Sequence, residues 1–218
     1  MAIQVQGVDG TIAAVEAATR AMRTALRPID IGTAGSFRKT VSSGIMAAGL
    51  AANSPILAVR WTSTSLLAVV RRVQFHMWSL GTAFAAGLAT FDLFQARGFT
   101  VADTGGGVAT LTTNNGKLRT SHGTTAMGEI RLSATATLTA GTRTKDADPL
   151  ARLSAAISNV ANTVFVPFNT DLFRAPQGEM PAVLAANEGL VIEATVPATG
   201  TWTWTAAVEW DEVATYAP

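Results

Sequence analysis

Side chains that could carry out acid-base, metal or nucleophilic chemistry are few in this sequence of 218 residues. The two histidines, His76 and His122, have no Asp, Glu or His nearby at a spacing typical of metal ligands. The chain has no cysteine, and no serine lies in the Gly-x-Ser-x-Gly turn that exposes a nucleophile in many hydrolases. We therefore predict no catalytic residues, no metal site and no enzyme activity.

The glycine-rich stretch DTGGGVATLTTNNG at 103–116 is the one candidate for a nucleotide-binding loop. It lacks the Lys-Ser/Thr of a phosphate-binding loop and the third glycine of a dinucleotide fingerprint, so we predict no cofactor. Its Asn115-Gly116 pair favours a tight hairpin, because both turn positions need positive φ. The stretch is interpreted as a flexible loop that runs into this hairpin.

Charged residues that could act in pairs are interpreted as structural. Asp211 and Glu212 point to opposite faces of a predicted strand, while Asp146 and Asp148 lie in a predicted loop. Neither pair has a pattern typical of a glycosidase, so solvation of the surface is the expected role. Arg71 falls on an otherwise apolar strand face, which predicts an inward side chain with a charge partner inside a sheet or across a subunit contact.

Three tryptophans recur at alternate positions in TGTWTWTAAVEWDEVATY, at 199–216. Because alternate side chains of a strand share a face, they form one row. The row consists of Trp202, Trp204, Ala206, Val208 and Trp210. Such a row is either a platform that stacks on sugars or the inner wall of a β-sandwich. Its small and aliphatic members favour a core wall or subunit interface, since large aromatic surfaces are usually buried. The glycan platform stays open as the alternative.

The elements that would position these residues are mostly strands. Apolar and polar residues alternate in LLAVVRRVQFHM at 66–77 and in EIRLSATATL at 129–138, and two long strands are predicted within 188–213. The segment 146–161 permits either a helix or irregular structure. We predict a mostly β domain over 31–218, an antiparallel β-sandwich of jelly-roll-like type.

Residues 1–30 are predicted to form a separate arm, and its last residues overlap a linker predicted at 27–36. Apolar residues at spacings of four and three are typical of an amphipathic helix, and an extended arm is the alternative. A stripe this short is unstable alone, so we expect it to order against another chain. The expected contacts are Val8, Ile12, Val15, Met22 and Leu26, with Thr19 in the same stripe.

The composition predicts a surface that other chains cover. Charged residues make up 14% of the chain, against about 25% in an average domain. Such a chain tends to associate, so an oligomer is favoured. The formal net charge is +1 and no face combines basic residues with aromatics, so we expect no nucleic-acid partner.

A membrane span is also not expected. The best candidate is the uncharged stretch at 73–91, VQFHMWSLGTAFAAGLATF. Its Gln74, His76 and Ser79, together with its glycines, fit two strands and a turn better than a lipid-facing helix. The first ten residues also lack the pattern of a secretory signal.

Several long stretches, in this order, resemble a group of proteins encoded by tailed bacteriophages and viral metagenomes. They are SSGIMAAGLAANSPILAVRWT at 42–62, NNGKLRTS at 114–121, IRLSATATLTAGTRTKDADPL at 130–150, TVFVPFNTDLF at 163–173 and PAVLAANEGLVIEATVPATGTWTWTAAVEWDEV at 181–213. The similarity covers residues 30 to 213. It implies a virion component and supplies no catalytic or ligand residues.

From this resemblance and the composition we expect a virion protein made in the host cytoplasm. The favoured role is a head decoration or minor capsid protein that self-associates as a homotrimer and docks on the major capsid protein. The alternative is a glycan-binding module of a tail or head fibre, with Trp202, Trp204 and Trp210 as its platform. An enzyme acting on cell-wall polymers is a third candidate, and it would need a pocket that joins a histidine to a carboxylate.

Overall fold

The structure is a computed structural model that describes residues 34–47, 50, 52–112, 116–176 and 180–216. The predicted arm at 1–30 and most of its linker lie outside the described residues. Thirteen strands are described. They are β1 (Gly35–Ser42), β2 (Met46–Ala47), β3 (Ser54–Trp61), β4 (Leu67–Ser79), β5 (Gly87–Arg97), β6 (Gly107–Val108), β7 (Met127–Leu132), β8 (Thr144–Lys145), β9 (Ala151–Ile157), β10 (Val164–Arg174), β11 (Ala182–Leu184), β12 (Glu188–Thr195) and β13 (Thr201–Val213).

These strands form two antiparallel sheets packed as a sandwich, which confirms the predicted fold class. The six-stranded sheet has the order β1-β13-β4-β10, with β2 beside β13 and β11 beside β4. The seven-stranded sheet has the order β6-β7-β3-β12-β5-β8, with β9 also on β5. The two long strands predicted within 188–213 are β12 and β13, and they belong to different sheets. Thr199 and Gly200, both at positive φ, turn the chain between the sheets.

The uncharged stretch at 73–91 contributes the end of β4 and the start of β5, as predicted. Within the described ranges, no helix has the length and apolar character needed to cross a membrane.

A β-bulge in β4 changes the position expected for Arg71. Arg72 pairs with Glu209 of β13 and Val70 pairs with Trp210, so Arg71 is the extra residue of the bulge. Alternation therefore restarts at this point, and the Arg71 side chain is exposed rather than inward. The prediction of an inward arginine was wrong, because alternation over 66–77 contains no sign of the bulge.

The strand predicted over 129–138 ends at Leu132. Beyond it the chain still follows β3, because Ser133 and Leu138 donate their N–H groups to the carbonyls of Ile56 and Pro55. The residues between them are exposed. Alanine and threonine alternate here, and alanine buries too little apolar surface to hold a strand against the core.

The segment 146–161 contains a strand, β9, whereas the sequence predicted either a helix or irregular structure. Ala151–Ile157 pairs with the edge of β5. Leu153 and Ile157 are four residues apart, which fits a helix. Apolar residues also occur at every second position, which fits a strand: Ala151, Leu153, Ala155 and Ile157. The segment forms a strand rather than a helix because the free edge of β5 is available to pair with it. Pairing provides backbone hydrogen bonds and lets the apolar side chains pack on the core.

The hairpin predicted at Asn115-Gly116 lies partly outside the described residues, because 113–115 are not described. Gly116 has the positive φ expected of such a turn, at 81°. Its carbonyl accepts the N–H of Arg38, and Lys117 bridges to Phe37. The chain after Gly116 therefore follows β1, and the described flanks at 109–112 and 117–121 form no hairpin with each other.

The main core lies between the sheets and is rich in aromatic side chains. Its largest fully buried members include Trp61, Trp202, Trp204, Trp210, Phe37, Phe75, Phe84 and Phe91. A second, smaller cluster lies apart from it and contains Ala58, Ala96, Phe99, Leu138 and Val191. The described chain from 34 to 216 thus closes its own core.

Candidate functional site

The three C-terminal tryptophans lie on the inner face of β13, between the sheets. Trp202 and Trp204 are 0% exposed and Trp210 is 1% exposed. Trp204 stacks on Phe75 with ring centroids 6.1 Å apart. Trp210 stacks in the same way on Phe37, at 5.6 Å. The row is part of the core wall, so these indoles present no surface on which a sugar could stack.

The polar N–H of each buried indole has a hydrogen-bond acceptor. Trp204 donates to the hydroxyl of Ser133 at 3.1 Å. Trp202 donates to the carbonyl of Ala47 at 3.3 Å. Because a buried indole N–H without a partner would be costly, these bonds fix how each ring sits in the core.

Trp78 is the exception among the five tryptophans, because it is partly exposed. It pairs with Thr203, which places it on the outer face of the six-stranded sheet. The His76 ring lies beside it, at 4.6 Å between centroids. The same face carries two hydroxyl pairs, Ser42 with Thr205 and Ser43 with Thr203. Among the side chains that the structure describes on this face, the aromatic contact is the His76–Trp78 pair, and its neighbours are polar.

Glu212 extends the tryptophan row, and its carboxylate is buried at 1% exposure. It accepts the indole N–H of Trp210 at 3.1 Å, the hydroxyl of Thr125 and the backbone N–H of Ala126. These bonds tie the loop before β7 to β13. The prediction that this carboxylate helps to solvate the surface was wrong. It is buried, and three protein donors take the place of the water molecules that would otherwise bond to it.

Asp211, on the opposite face of β13, is also buried at 1%. It accepts hydrogen bonds from the Ser36 hydroxyl and from Arg71, whose Nη1 lies 2.9 Å away. The predicted charge partner of Arg71 is therefore present within the sheet, although the arginine side chain itself is half exposed. Solvation was the wrong interpretation for this residue as well.

Ser36, His122 and Asp211 come together in a way that the sequence did not indicate. The Nδ1 atom of His122 accepts the backbone N–H of Ser36 at 3.0 Å, while Asp211 accepts the Ser36 hydroxyl. In a catalytic triad the carboxylate orients the histidine, and the histidine accepts from the serine hydroxyl. Here Ser36 bonds to both of the other residues, with its backbone N–H to His122 and its hydroxyl to Asp211. These bonds hold β1 against β13 and against the loop at 117–126.

The outer side of the seven-stranded sheet carries ion pairs. Arg143 and Asp103 form a bidentate pair at 2.9 and 3.0 Å, with side chains 4% and 0% exposed. Asp103 also accepts the N–H of Gly141, and the guanidinium of Arg143 lies 5.5 Å from the centre of the Phe99 ring. The pair fastens the glycine-rich loop at 103–106 over the second cluster, which is a structural role.

Arg97 forms ion pairs that are more exposed than this buried one. Arg97 donates hydrogen bonds to Asp146 and Glu188, and the bond that Asp146 accepts raises the pKa of Arg97 above its ordinary value. Asp148, the other member of the predicted acidic pair, is exposed. Across the described ranges, no group of three or more His, Asp or Glu side chains could hold a metal ion.

Two adjoining depressions flank Tyr216 at one end of the sandwich, and we call them together the Tyr216 groove. One, of about 430 Å³, is lined by Leu150, Phe173 and Met180 among others. The other, of about 460 Å³, is lined mainly by small residues and by Leu66. Met180 is 69% exposed and Leu150 is 41% exposed. The groove is open on the described part of the chain and apolar mainly around Leu150, Phe173 and Met180, whereas its second depression also carries the hydroxyls of Ser63, Thr64, Ser65 and Thr215.

Comparisons of the chain with models of protein families, with curated proteins and with solved structures found no match.

Proposed function

We propose that this protein is a structural component of a tailed-bacteriophage virion, a head decoration or minor capsid protein. In this role it associates with itself as a trimer, docks on the lattice of the major capsid protein and reinforces the shell. It works through contact area, with no part for a cofactor, a nucleic acid or catalysis.

The observation that supports this proposal most directly is the exposure of large apolar side chains on a sandwich whose core is already closed. Ile45 and Leu118 are each 61% exposed, and Met180 is 69% exposed. Single exposed apolar residues are ordinary, but a chain with 14% charged residues has few charges to keep copies apart. The resemblance of residues 30–213 to phage proteins supplies the kind of assembly.

Contact area can account for reinforcement in energetic terms. Burying apolar surface contributes about 25 cal/mol per Å² before the costs of association are subtracted. A stable interface buries roughly 1,600 Å² in total. Because contacts of this kind repeat over a capsid, even weak ones would add up to resistance against internal pressure.

The alternative of a glycan-binding module loses its platform. It required Trp202, Trp204 and Trp210 at the surface, and all three are buried. Trp78 would be the remaining tryptophan for such a role, and it is only partly exposed.

Particles of the encoding phage, made with and without this gene, test the proposal. We expect particles lacking the protein to assemble and package DNA, yet to release it at a lower temperature than complete particles. Adding the purified protein back should restore the original release temperature. Particles whose heat stability is the same with and without the protein would contradict a reinforcing role.

A further inference from the structure

The position of the first described residues relates the N-terminal segment to the Tyr216 groove. Ala34 donates its N–H to the carbonyl of Glu212 at 3.0 Å, and Gly35 pairs with the same residue. Because β1 and β13 are antiparallel, the chain enters β1 at the end of the sandwich where 214–216 leave β13. That is the end where the groove lies.

The segment outside the described residues has the chemistry to fill such a groove. Its stripe of apolar residues, Val8, Ile12, Val15, Met22 and Leu26, matches a surface lined by aliphatic and aromatic side chains. Arg97, a charged residue of the groove, is already bonded to Asp146 and Glu188. The stretch 27–33 can span at most about 25 Å, which is enough to reach across to a neighbouring molecule in contact with this end.

We propose that the Tyr216 groove receives the apolar stripe of residues 8–26 from a second copy of this chain. The inference rests on the self-association in the proposed function and names the contact that produces it. A second copy is favoured over the chain's own segment because only 14% of the residues are charged, which leaves little repulsion to keep copies apart. Exchange between copies would also cover two apolar surfaces in one contact, the stripe and the groove.

The absence of cysteine from the natural sequence makes a crosslinking test clean. One chain carries Met22→Cys, and a second chain with an affinity tag carries Met180→Cys. Met180 is exposed, so its replacement should not disturb the core. The two are co-expressed, purified through the tag and treated with a short bismaleimide. We expect a covalent product containing one tagged and one untagged chain.

The matched control replaces Met180→Cys with Thr135→Cys, at an exposed position near the opposite end of the sandwich. Its yield of crosslinked product should be several-fold lower. Equal yields at both positions would overturn the proposal. So would a single chain carrying both Met22→Cys and Met180→Cys that crosslinks only within itself.

A charge placed in the groove gives an independent measurement. Met180→Asp should shift the sedimentation of the full chain from oligomer to monomer, whereas Val164→Asp, at a 56% exposed apolar position outside the groove, should not. Unchanged sedimentation of Met180→Asp would contradict the proposal. All of these readouts use the purified protein alone. If the crosslinking and sedimentation tests fail while the protein is found in virions, only the groove contact is disproved. If these tests succeed while the protein is absent from virions, only the proposed virion function is disproved.

Discussion

Trp210 donates its indole N–H to the carboxylate of Glu212, two residues further along the same face of β13, at 3.1 Å. Because that carboxylate also accepts bonds from Thr125 and Ala126, it joins the core row to the loop before β7. A buried anion is therefore part of the wall between the sheets.

Replacing that anion should weaken the fold. Glu212→Gln turns one acceptor oxygen into a donor that faces other donors, which should lower the free energy of unfolding by about 1–3 kcal/mol. Urea unfolding measures this loss. Glu209→Gln is the control, because Glu209 is partly exposed and pairs with Arg38 at 3.4 Å, so about 1 kcal/mol or less is expected. Equal losses in the two variants would contradict the role given to Glu212.

Trp204→Ala should lower the free energy of unfolding by about 3–5 kcal/mol, because it empties a buried site in the core. Thermal melting of the two proteins measures the loss. Trp78→Ala, at the partly exposed tryptophan, should cost clearly less. An unchanged melting temperature for Trp204→Ala, together with loss of binding on a glycan array, would instead support the sugar-platform interpretation.

The buried ion pair should matter more than the exposed ones. Asp103→Ala leaves the guanidinium of Arg143 buried without its partner, which typically costs about 3–5 kcal/mol. Asp146→Ala removes an exposed partner of Arg97 and should cost no more than about 1 kcal/mol. Chemical denaturation of both variants makes the comparison, and a reversed order would disprove it.

A shortened chain beginning at Ile31 tests the arm. We expect it to fold, because the described core lies within 34–216, but to sediment as a monomer and to bind capsids poorly. Circular dichroism checks the fold, and co-sedimentation with particles checks binding. Binding equal to that of the full chain would show that residues 1–30 are dispensable for assembly.

The fold could be predicted from the sequence because alternation and turn residues report on strands directly. The Trp202, Trp204 and Trp210 row and the strands on either side of PATG were visible in this way. The bulge at Arg71 was not, since it depends on how β13 pairs with β4 rather than on the residues of β4 alone.

The buried hydrogen bonds of Asp211 and Glu212 were harder to predict than the strands. Asp211 and Glu212 have the composition of solvated surface groups, and their burial depends on donors far away in sequence, at Ser36, Thr125 and Ala126. Contacts of this kind carry no local signal. The Tyr216 groove likewise arises from segments that meet only after folding.

Quantitative mass spectrometry of purified particles of the phage that we propose encodes this chain tests the central proposal, a virion role, most directly. We expect peptides of this chain in a fixed, high ratio to the major capsid protein, because a head decoration protein repeats over the head lattice. Absence of the chain from purified particles would contradict a virion role. A handful of copies per particle would contradict head decoration.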